Sequence, residues 1–267
     1  MMKKRPQNRP NSRSKAHASE EEPERIQKLL AKAGIASRRQ VEKMIEQGAI
    51  NVNGKEAKLG DKITVNDTVK LNGRIVKLAG KVQTETKVLI YHKPAGEIVS
   101  RNDPGGRPNV FRKLPRLEVG RWISVGRLDI NTEGLLMFTT DGELAHKLMH
   151  PSKQIDREYA VRVMGRIDDP MLERLVNGVE LDDGVARFED IHDSGGKGVN
   201  RWFHVVVMEG RNRVVRRLWE SQQCQVSRLI RVRYGSVVLP PGLPVGRSEM
   251  MDVKAIDQLK ELVEDKE

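Results

Sequence analysis

The chain has 267 residues, of which 37% are hydrophobic, so it is long enough to form one or two domains with a real core. Lysine and arginine total 48 against 37 acidic residues, and the net charge of +11 favours a polyanionic partner, with nucleic acid the first candidate. No apolar run approaches the roughly 20 residues that span a bilayer. The single cysteine, Cys224, excludes an internal disulfide and a zinc-finger pattern. We therefore expect a cytoplasmic protein that is neither secreted nor embedded in a membrane.

Residues 1–23 combine basic side chains with proline, asparagine, serine and glutamine, and end in a run of three glutamates. This composition cannot bury a core, so the sequence predicts a disordered basic tail. The tail could contact RNA phosphates without sequence preference, or it could simply be solvated.

Residues 24–83 predict a small module of two short helices followed by short strands. The first helix has Ile26, Leu29 and Leu30 on one face, and the second begins with a capping box formed by Ser37 and Gln40. An Asn-Gly turn at residues 53–54 then separates two strand-like segments.

Arg38 and Arg39 fall in the first turn of the second helix. Cations there oppose the helix dipole, which favours an external anion over a purely stabilising role, although an ordinary solvated helix start remains the alternative. The strings LLAKAGIASRR (residues 29–39) and VNGK (residues 52–55) resemble the S4 RNA-binding domain. The resemblance implies that this module docks structured RNA through its backbone, by shape more than by base sequence.

A second domain is predicted over residues 87–252, followed by a C-terminal helix and tail over residues 253–267. It opens with a buried strand and a Lys-Pro-Ala-Gly turn at residues 93–96. The polar loop at residues 101–107, which includes Arg107, either borders a substrate cleft and contacts RNA or is a plain surface loop. Residues 157–163 alternate as a strand that places Tyr159, Val161 and Val163 on one face.

The most informative segment is GRLDINTEGLL, residues 126–136, which places Asp129 between Arg127 and a strongly apolar run. A carboxylate at the edge of a core must either pair with a cation or be used in chemistry. Alone, an Arg-x-Asp pattern more often marks a structural ion pair. Together with TTDGEL at residues 139–144, however, the segment closely resembles the catalytic motif of pseudouridine synthases that modify bacterial ribosomal RNA.

This resemblance implies roles for four residues. Asp129 is the catalytic carboxylate, Tyr159 stacks on the target uracil, and Arg216 pairs with Asp129 and so favours its charged form. Arg127 occupies the space left by the flipped nucleotide, with a salt bridge to a nearby carboxylate as its structural alternative. Whether the carboxylate attacks C1′ or removes a proton from C2′ is left open by the sequence.

Residues 208–234 hold seven arginines against two glutamates, and Arg211 and Arg213 there are further candidates for phosphate contacts. Relatives often have His-Gln where this chain has Arg213 and Val214, and the arginine-rich version resembles the large-subunit branch of the family. The implied substrate is a structured stem-loop of 23S ribosomal RNA near the peptidyl-transferase centre, with the target uridine flipped out. Another ribosomal RNA site, or a non-catalytic S4-type RNA-binding or ribosome-assembly factor, are the alternatives.

No cofactor is expected, because the isomerisation needs no redox step and the chain lacks nucleotide-binding fingerprints. No metal site is expected, since His146 and His150 lack a third ligand. The implied fold class is α+β, with a small S4-like domain followed by a catalytic domain built on a mainly antiparallel sheet. One RNA bound to one monomer is the simplest arrangement.

Overall fold

The structure is a computed structural model that describes residues 22–80, 82 and 85–264. The predicted basic tail therefore lies almost wholly outside the described residues. Within the described part of the chain, no helix combines the length and the apolar character needed to cross a bilayer.

Residues 24–80 form the N-terminal module, which contains two helices and six short strands. In chain order the elements are β1 (Glu24–Arg25), α1 (Ile26–Lys32), α2 (Arg38–Glu46), β2 (Ile50–Val52), β3 (Lys55–Glu56), β4 (Lys62–Ile63), β5 (Val69–Leu71) and β6 (Arg74–Val76). Strands β3, β2, β5 and β6 form one antiparallel sheet, and β1 pairs with β4.

The capping box and the tight turn that the sequence predicts in this module are both present. The Ser37 side chain accepts a hydrogen bond from the Gln40 backbone N–H and the Gln40 side chain accepts one from the Ser37 N–H, so the predicted capping box starts α2. Asn53 and Gly54 both have positive φ, as a tight hairpin turn requires. Leu78 is buried in the module's core, so the segment after Leu71 packs as part of the module.

Residues 87–264 form the C-terminal domain, with eleven strands, four α-helices and two single-turn 3₁₀ helices at Val110–Arg112 and Pro151–Lys153. Its elements are β7 (Val88–Lys93), β8 (Ile123–Val125), β9 (Glu133–Thr139), α3 (Gly142–Met149), β10 (Arg157–Met164), α4 (Asp169–Asn177), β11 (Val179–Leu181), β12 (Gly184–Ala186), β13 (Asp190–Lys197), β14 (Asn200–Val207), α5 (Val214–Glu220), β15 (Gln225–Tyr234), β16 (Val237–Val238), β17 (Ser248–Met250) and α6 (Val253–Glu261).

Nine of these strands form one sheet in the order β13-β14-β10-β15-β9-β7-β17, with β16 on β15 and β8 on β9. Every pairing in it is antiparallel except β15 with β9. The α+β class with a mainly antiparallel sheet, which the resemblance implied, is thus confirmed. The sheet has two halves that meet at the short parallel junction between β15 and β9.

The two halves are packed differently. Strands β7 and β9 lie between two apolar clusters, which explains their continuous apolar sequences. Strands β10 and β14 alternate and pack one face against a third cluster, with α4 and α5. The predicted C-terminal helix is present as α6, and Ile256 and Leu259 of α6 pack with Val263, just after it, into the core that contains β7.

The junction of the halves aligns three residues in one row across the sheet. Tyr159 of β10 lies opposite Arg231 of β15, which in turn lies opposite Gly134 of β9. Gly134 has φ +103°, and a Cβ atom there would lie 2.7 Å from the Arg231 backbone nitrogen and closer still to its carbonyl oxygen. Only glycine therefore allows β9 to approach β15 this closely. The row places Tyr159 beside the segment that precedes β9.

Candidate active site

Asp129 lies in a tight loop between β8 and β9. The Thr132 N–H donates to the Asp129 carbonyl oxygen over 3.0 Å, which closes the loop as a turn. Leu128 is buried in the apolar cluster on one face of β7 and β9, whereas Asp129 is half-buried and Arg127 is exposed. The buried leucine fixes the loop to the core, so the two charged neighbours point into different surroundings.

Lys93 anchors this loop from the end of β7. Its side chain is 0% exposed, and its Nζ donates to the carbonyl oxygens of Thr132 (2.8 Å) and Pro94 (2.9 Å). The Gly96 N–H donates to the Ile130 carbonyl oxygen over 2.7 Å. The Lys-Pro-Ala-Gly turn and the Asp129 loop are therefore held together by direct hydrogen bonds.

The buried ammonium group is costly, and its pKa reflects this cost. Burial lowers the pKa of Lys93 from 10.5 to about 8, although the charges of Glu97, Asp129 and Glu133 act in the opposite direction. The nearby carboxylates, Glu97 first and then Asp129, therefore favour the protonated form of Lys93.

Arg216 anchors the same loop from α5. It is 8% exposed, and its guanidinium donates to the carbonyl oxygens of Asn131 and Val226, each over 3.0 Å. Its Nε is buried and has no hydrogen-bond partner among the described residues. The loop backbone is therefore held by two buried cations that come from separate elements.

Arg216 and Asp129 do not form the direct ion pair that the resemblance implied. Among the described residues no ion pair within 4.0 Å joins them, because the guanidinium is turned to the carbonyl oxygens of Asn131 and Val226. Their charges nevertheless interact: burial and the nearby Arg213 lower the pKa of Arg216, and Asp129 raises it. Arg216 positions the loop and contributes charge at longer range.

Tyr159 lies on β10, two strands from β9, and packs against the apolar cluster that contains Leu128 of the Asp129 loop. Its half-buried ring packs against the apolar clusters of both halves, and β10 has an irregularity in its pairing with β15 between Glu158 and Tyr159. Such bulges re-aim side chains. Arg231, opposite it, is 2% exposed and donates from Nε to the Leu135 carbonyl oxygen over 2.8 Å, while one of its amino groups is buried without a partner in the described chain.

A second layer of charge lies behind Lys93. Glu97 is 4% exposed, accepts a hydrogen bond of 2.6 Å from the Tyr91 hydroxyl and forms an ion pair of 2.6 Å with Lys113. Burial, together with this hydrogen bond, raises the pKa of Tyr91, so the phenol remains a donor. The network supplies a buried carboxylate that balances Lys93.

The arginines predicted to contact RNA fall into two groups. Arg38 and Arg39 are exposed in the first turn of α2, and Arg127 is exposed with no hydrogen bond or ion pair to a described residue. By contrast Arg107 is bound to Asp103 within its own loop, and Arg213 contacts Glu220.

Arg211 is the most engaged of these arginines. It donates to Glu209, to Asp183 and to the carbonyl oxygens of Gly184 and Val185, and so ties the β11–β12 hairpin to the segment before α5. A groove of about 660 Å³ lies beside this hairpin, but its lining does not include Asp129, Tyr159 or Arg216. The site is therefore defined by its side chains and not by this cavity.

The described residues contain no group of three histidine, cysteine, aspartate or glutamate side chains that could hold a metal ion. Two buried cations close to the Asp129 loop, Lys93 and Arg231, were not predicted as site residues from the sequence. Lys93 ends an apolar strand, which is the sequence sign of a lysine that becomes buried. Arg231 lies two positions after the buried Leu229 in β15, so the alternation of the strand places both side chains on the same inward face.

Comparison with known proteins gives consistent matches over both domains. The model of the RNA pseudouridylate synthase family matches residues 87–221, and the S4 domain model matches residues 24–69. A ribosomal large subunit pseudouridine synthase B of Haemophilus influenzae is 56% identical over 244 residues, which are 91% of this chain and 68% of that protein. The protein of that name in Escherichia coli (strain K12) is 54% identical over 90% of this chain and 84% of its own length.

A solved pseudouridylate synthase shares the fold, with a TM-score of 0.61 at 23% identity over 88% of this chain and 99% of that one. The fold and the site thus define a two-domain protein of the pseudouridylate synthase class. The chain belongs to the RNA pseudouridylate synthase family and carries an S4 domain at its N-terminal end. It is an isomerase, so the non-catalytic alternative is not favoured.

Proposed function

We propose that this protein converts one uridine of 23S ribosomal RNA into pseudouridine, within a stem-loop near the peptidyl-transferase centre, and that Asp129 is its catalytic carboxylate. The names of the two relatives support the large-subunit substrate. The observation that carries the assignment of Asp129 is the fixation of its loop by Lys93 and Arg216, two buried cations bonded to the loop's carbonyl oxygens. A loop held in this way presents its one carboxylate in a fixed position.

The reaction breaks the bond between ribose C1′ and uracil N1, turns the base and joins C1′ to C5, after which the proton on C5 is lost and N1 gains one. Asp129 either attacks C1′ to give a sugar ester or removes a proton from C2′ to give a glycal. Both routes need a charged carboxylate close to the sugar. Lys93 and Arg216 provide positive charge on the loop side without direct ion pairing, which leaves the carboxylate oxygens free to react.

Tyr159 contacts the extruded uracil, and Arg127 occupies the position that the base leaves in the RNA stack. The half-buried ring of Tyr159 offers an aromatic face on which the extruded uracil stacks, and keeps the detached base from escaping. Arg127 is exposed and unpaired within the described residues, so its guanidinium is free to fill the gap left in the RNA stack.

The rest of the RNA is held by positive charge. Arg38 and Arg39 at the start of α2 contact phosphates, and so do Arg107 and Arg213, whose side chains are exposed although each also forms an ion pair. Arg211 is less available for a phosphate, because its guanidinium already donates to two carboxylates and to the carbonyl oxygens of Asp183, Gly184 and Val185. One RNA binds one monomer.

The test is to incubate the purified protein with ribosomal RNA from a bacterial strain that lacks the corresponding enzyme, and to map pseudouridine by carbodiimide treatment and primer extension. We expect one new site in 23S RNA with the wild type and none with Asp129→Asn. Asp190→Asn is the matched control, because Asp190 is an exposed aspartate of the same domain whose side chain forms no hydrogen bond or ion pair with a described residue. Modification by the Asp129 variant at the wild-type level would refute the mechanism, and a site in 16S RNA would refute the substrate.

A further inference from the structure

Two contacts between the domains involve α1 and the turn that follows it. Gly34, in the turn after α1, lies so close to Gly120 that a Cβ atom on it would be 2.7 Å from the Gly120 carbonyl oxygen. Lys28 of α1 forms an ion pair with Glu143 of α3. These contacts bring the beginning of α2 to the segment that holds Arg121.

Three arginines converge at this boundary, which we name the boundary arginine cluster: Arg38, Arg101 and Arg121. The Arg101 guanidinium lies 4.0 Å from the centre of the Phe111 ring and donates to the Trp122 carbonyl oxygen over 2.7 Å, which places it beside Arg121. The Nε of Arg121 is buried and has no hydrogen-bond partner among the described residues. The N-terminal module contributes Arg38, and the C-terminal domain contributes the other two.

The cluster carries no internal counter-charge. In the part of the chain that the structure describes, no carboxylate forms an ion pair with any of its three arginines, whereas the nearby Arg107 and Lys113 each have one. Burial, then the charges of Arg101 and Arg38, lowers the pKa of Arg121, and burial lowers the pKa of Arg101. Three like charges around a partly desolvated site oppose folding and favour the binding of an anion.

We propose that the boundary arginine cluster binds one phosphate of the RNA backbone, so that both domains contact the same phosphate. Phosphate is the ligand that fits, because guanidinium groups bind it through paired hydrogen bonds and no carboxylate of the described residues forms an ion pair with these three arginines. Arg39, exposed next to Arg38, extends the positive surface from the cluster along α2, as a continuous backbone requires. The choice of RNA rests on the proposed function.

The test is the affinity of the full chain for a 23S RNA stem-loop, measured by fluorescence anisotropy between about 50 and 300 mM KCl. The variants are Arg38→Gln, Arg121→Gln and the double variant, and the control is Arg166→Gln, an exposed arginine with no hydrogen bond or ion pair to a described residue. We expect each single variant to weaken binding about tenfold and to reduce the slope of log K against log salt by up to about one. Because both arginines hold one phosphate, we expect the double variant to lose less than about threefold more.

A structural role for Arg121 would give different results. Thermal unfolding without RNA should show the Tm of Arg121→Gln at or above the wild-type value, since the substitution removes a desolvated like charge. A lowered Tm would overturn the proposal for this residue, and if the variant does not fold, Arg38→Gln carries the test, because Arg38 is exposed and its side chain has no hydrogen bond or ion pair to a described residue.

Two further outcomes would overturn the joint site. Losses that multiply to about 100-fold in the double variant would mean two separate phosphates. If the cluster variants have the same affinity and salt slope as Arg166→Gln, no RNA phosphate binds at the cluster. A cluster that binds an acidic protein segment would give this result. The binding assay does not depend on catalysis. A wild type that forms no pseudouridine would refute the proposed function, and the binding assay would still test the joint phosphate site.

Discussion

The substitution Lys93→Met separates the position of the Asp129 loop from the stability of the fold. It removes hydrogen bonds of 2.8 and 2.9 Å to the carbonyl oxygens of Thr132 and Pro94, and an unsatisfied buried carbonyl costs about 1–3 kcal/mol. It also removes a buried charge. The lowering of the Lys93 pKa from 10.5 to about 8 corresponds to about 3 kcal/mol at about 1.36 kcal/mol per pH unit.

These two effects oppose each other, so we expect the free energy of unfolding at pH 7 to change by less than about 3 kcal/mol. The activity should fall much further, because a loop displaced by about 1 Å costs about 100-fold in rate. The assays are urea unfolding, and single-turnover conversion of a 23S stem-loop at saturating enzyme.

The pH dependence of stability gives an independent check. Between about pH 8 and 10.5 the folded protein has lost the Lys93 proton and the unfolded chain still holds it, so the wild type gains stability as the pH rises. From pH 7.5 to 9.5 the wild type should gain about 2 kcal/mol relative to Lys93→Met. The exposed Lys147→Met serves as the control and should show no such change relative to the wild type. A wild-type rate in Lys93→Met, or no relative gain at high pH, would refute the reasoning.

Three shorter predictions concern other contacts. Gly134→Ala should destabilise the protein by more than about 3 kcal/mol, because its Cβ would meet the Arg231 backbone, and an unchanged urea midpoint would contradict the close approach. Arg216→Lys keeps the charge but loses one of two carbonyl contacts, so kcat should fall about 10- to 100-fold with unchanged RNA affinity, and an equal loss of affinity would argue for a role in binding. Ser37→Ala should cost about 1 kcal/mol through the lost cap at Gln40, and calorimetry showing no change would disprove it.

Features set by neighbouring residues could be predicted from the sequence. The capping box at Ser37, the turn at Asn53 and the inward face of Tyr159 follow from local geometry, and each is present. The α+β class and the family came from motifs that span many residues, and the comparisons confirm both.

Long-range contacts could not be predicted in the same way. The hydrogen bond from Arg216 to Asn131 joins residues 85 positions apart, and it replaces the direct ion pair that the motif implied. The parallel junction of β15 with β9 depends on the close approach at Gly134, and local patterns do not specify which strands pair across a sheet. The depth of Lys93 follows from clusters on both faces of its sheet, which no single segment encodes.

The central claim is that Asp129 performs the reaction while arginines bind the RNA. The most direct test measures both quantities on Asp129→Asn, using a stem-loop labelled with tritium at uracil C5, since formation of the C5 to C1′ bond releases that proton. We expect an RNA affinity within about twofold of the wild type and no release of tritium above background, because phosphate contacts supply most of the affinity. Tritium release at the wild-type rate, or a collapse of binding in a folded variant, would contradict the account.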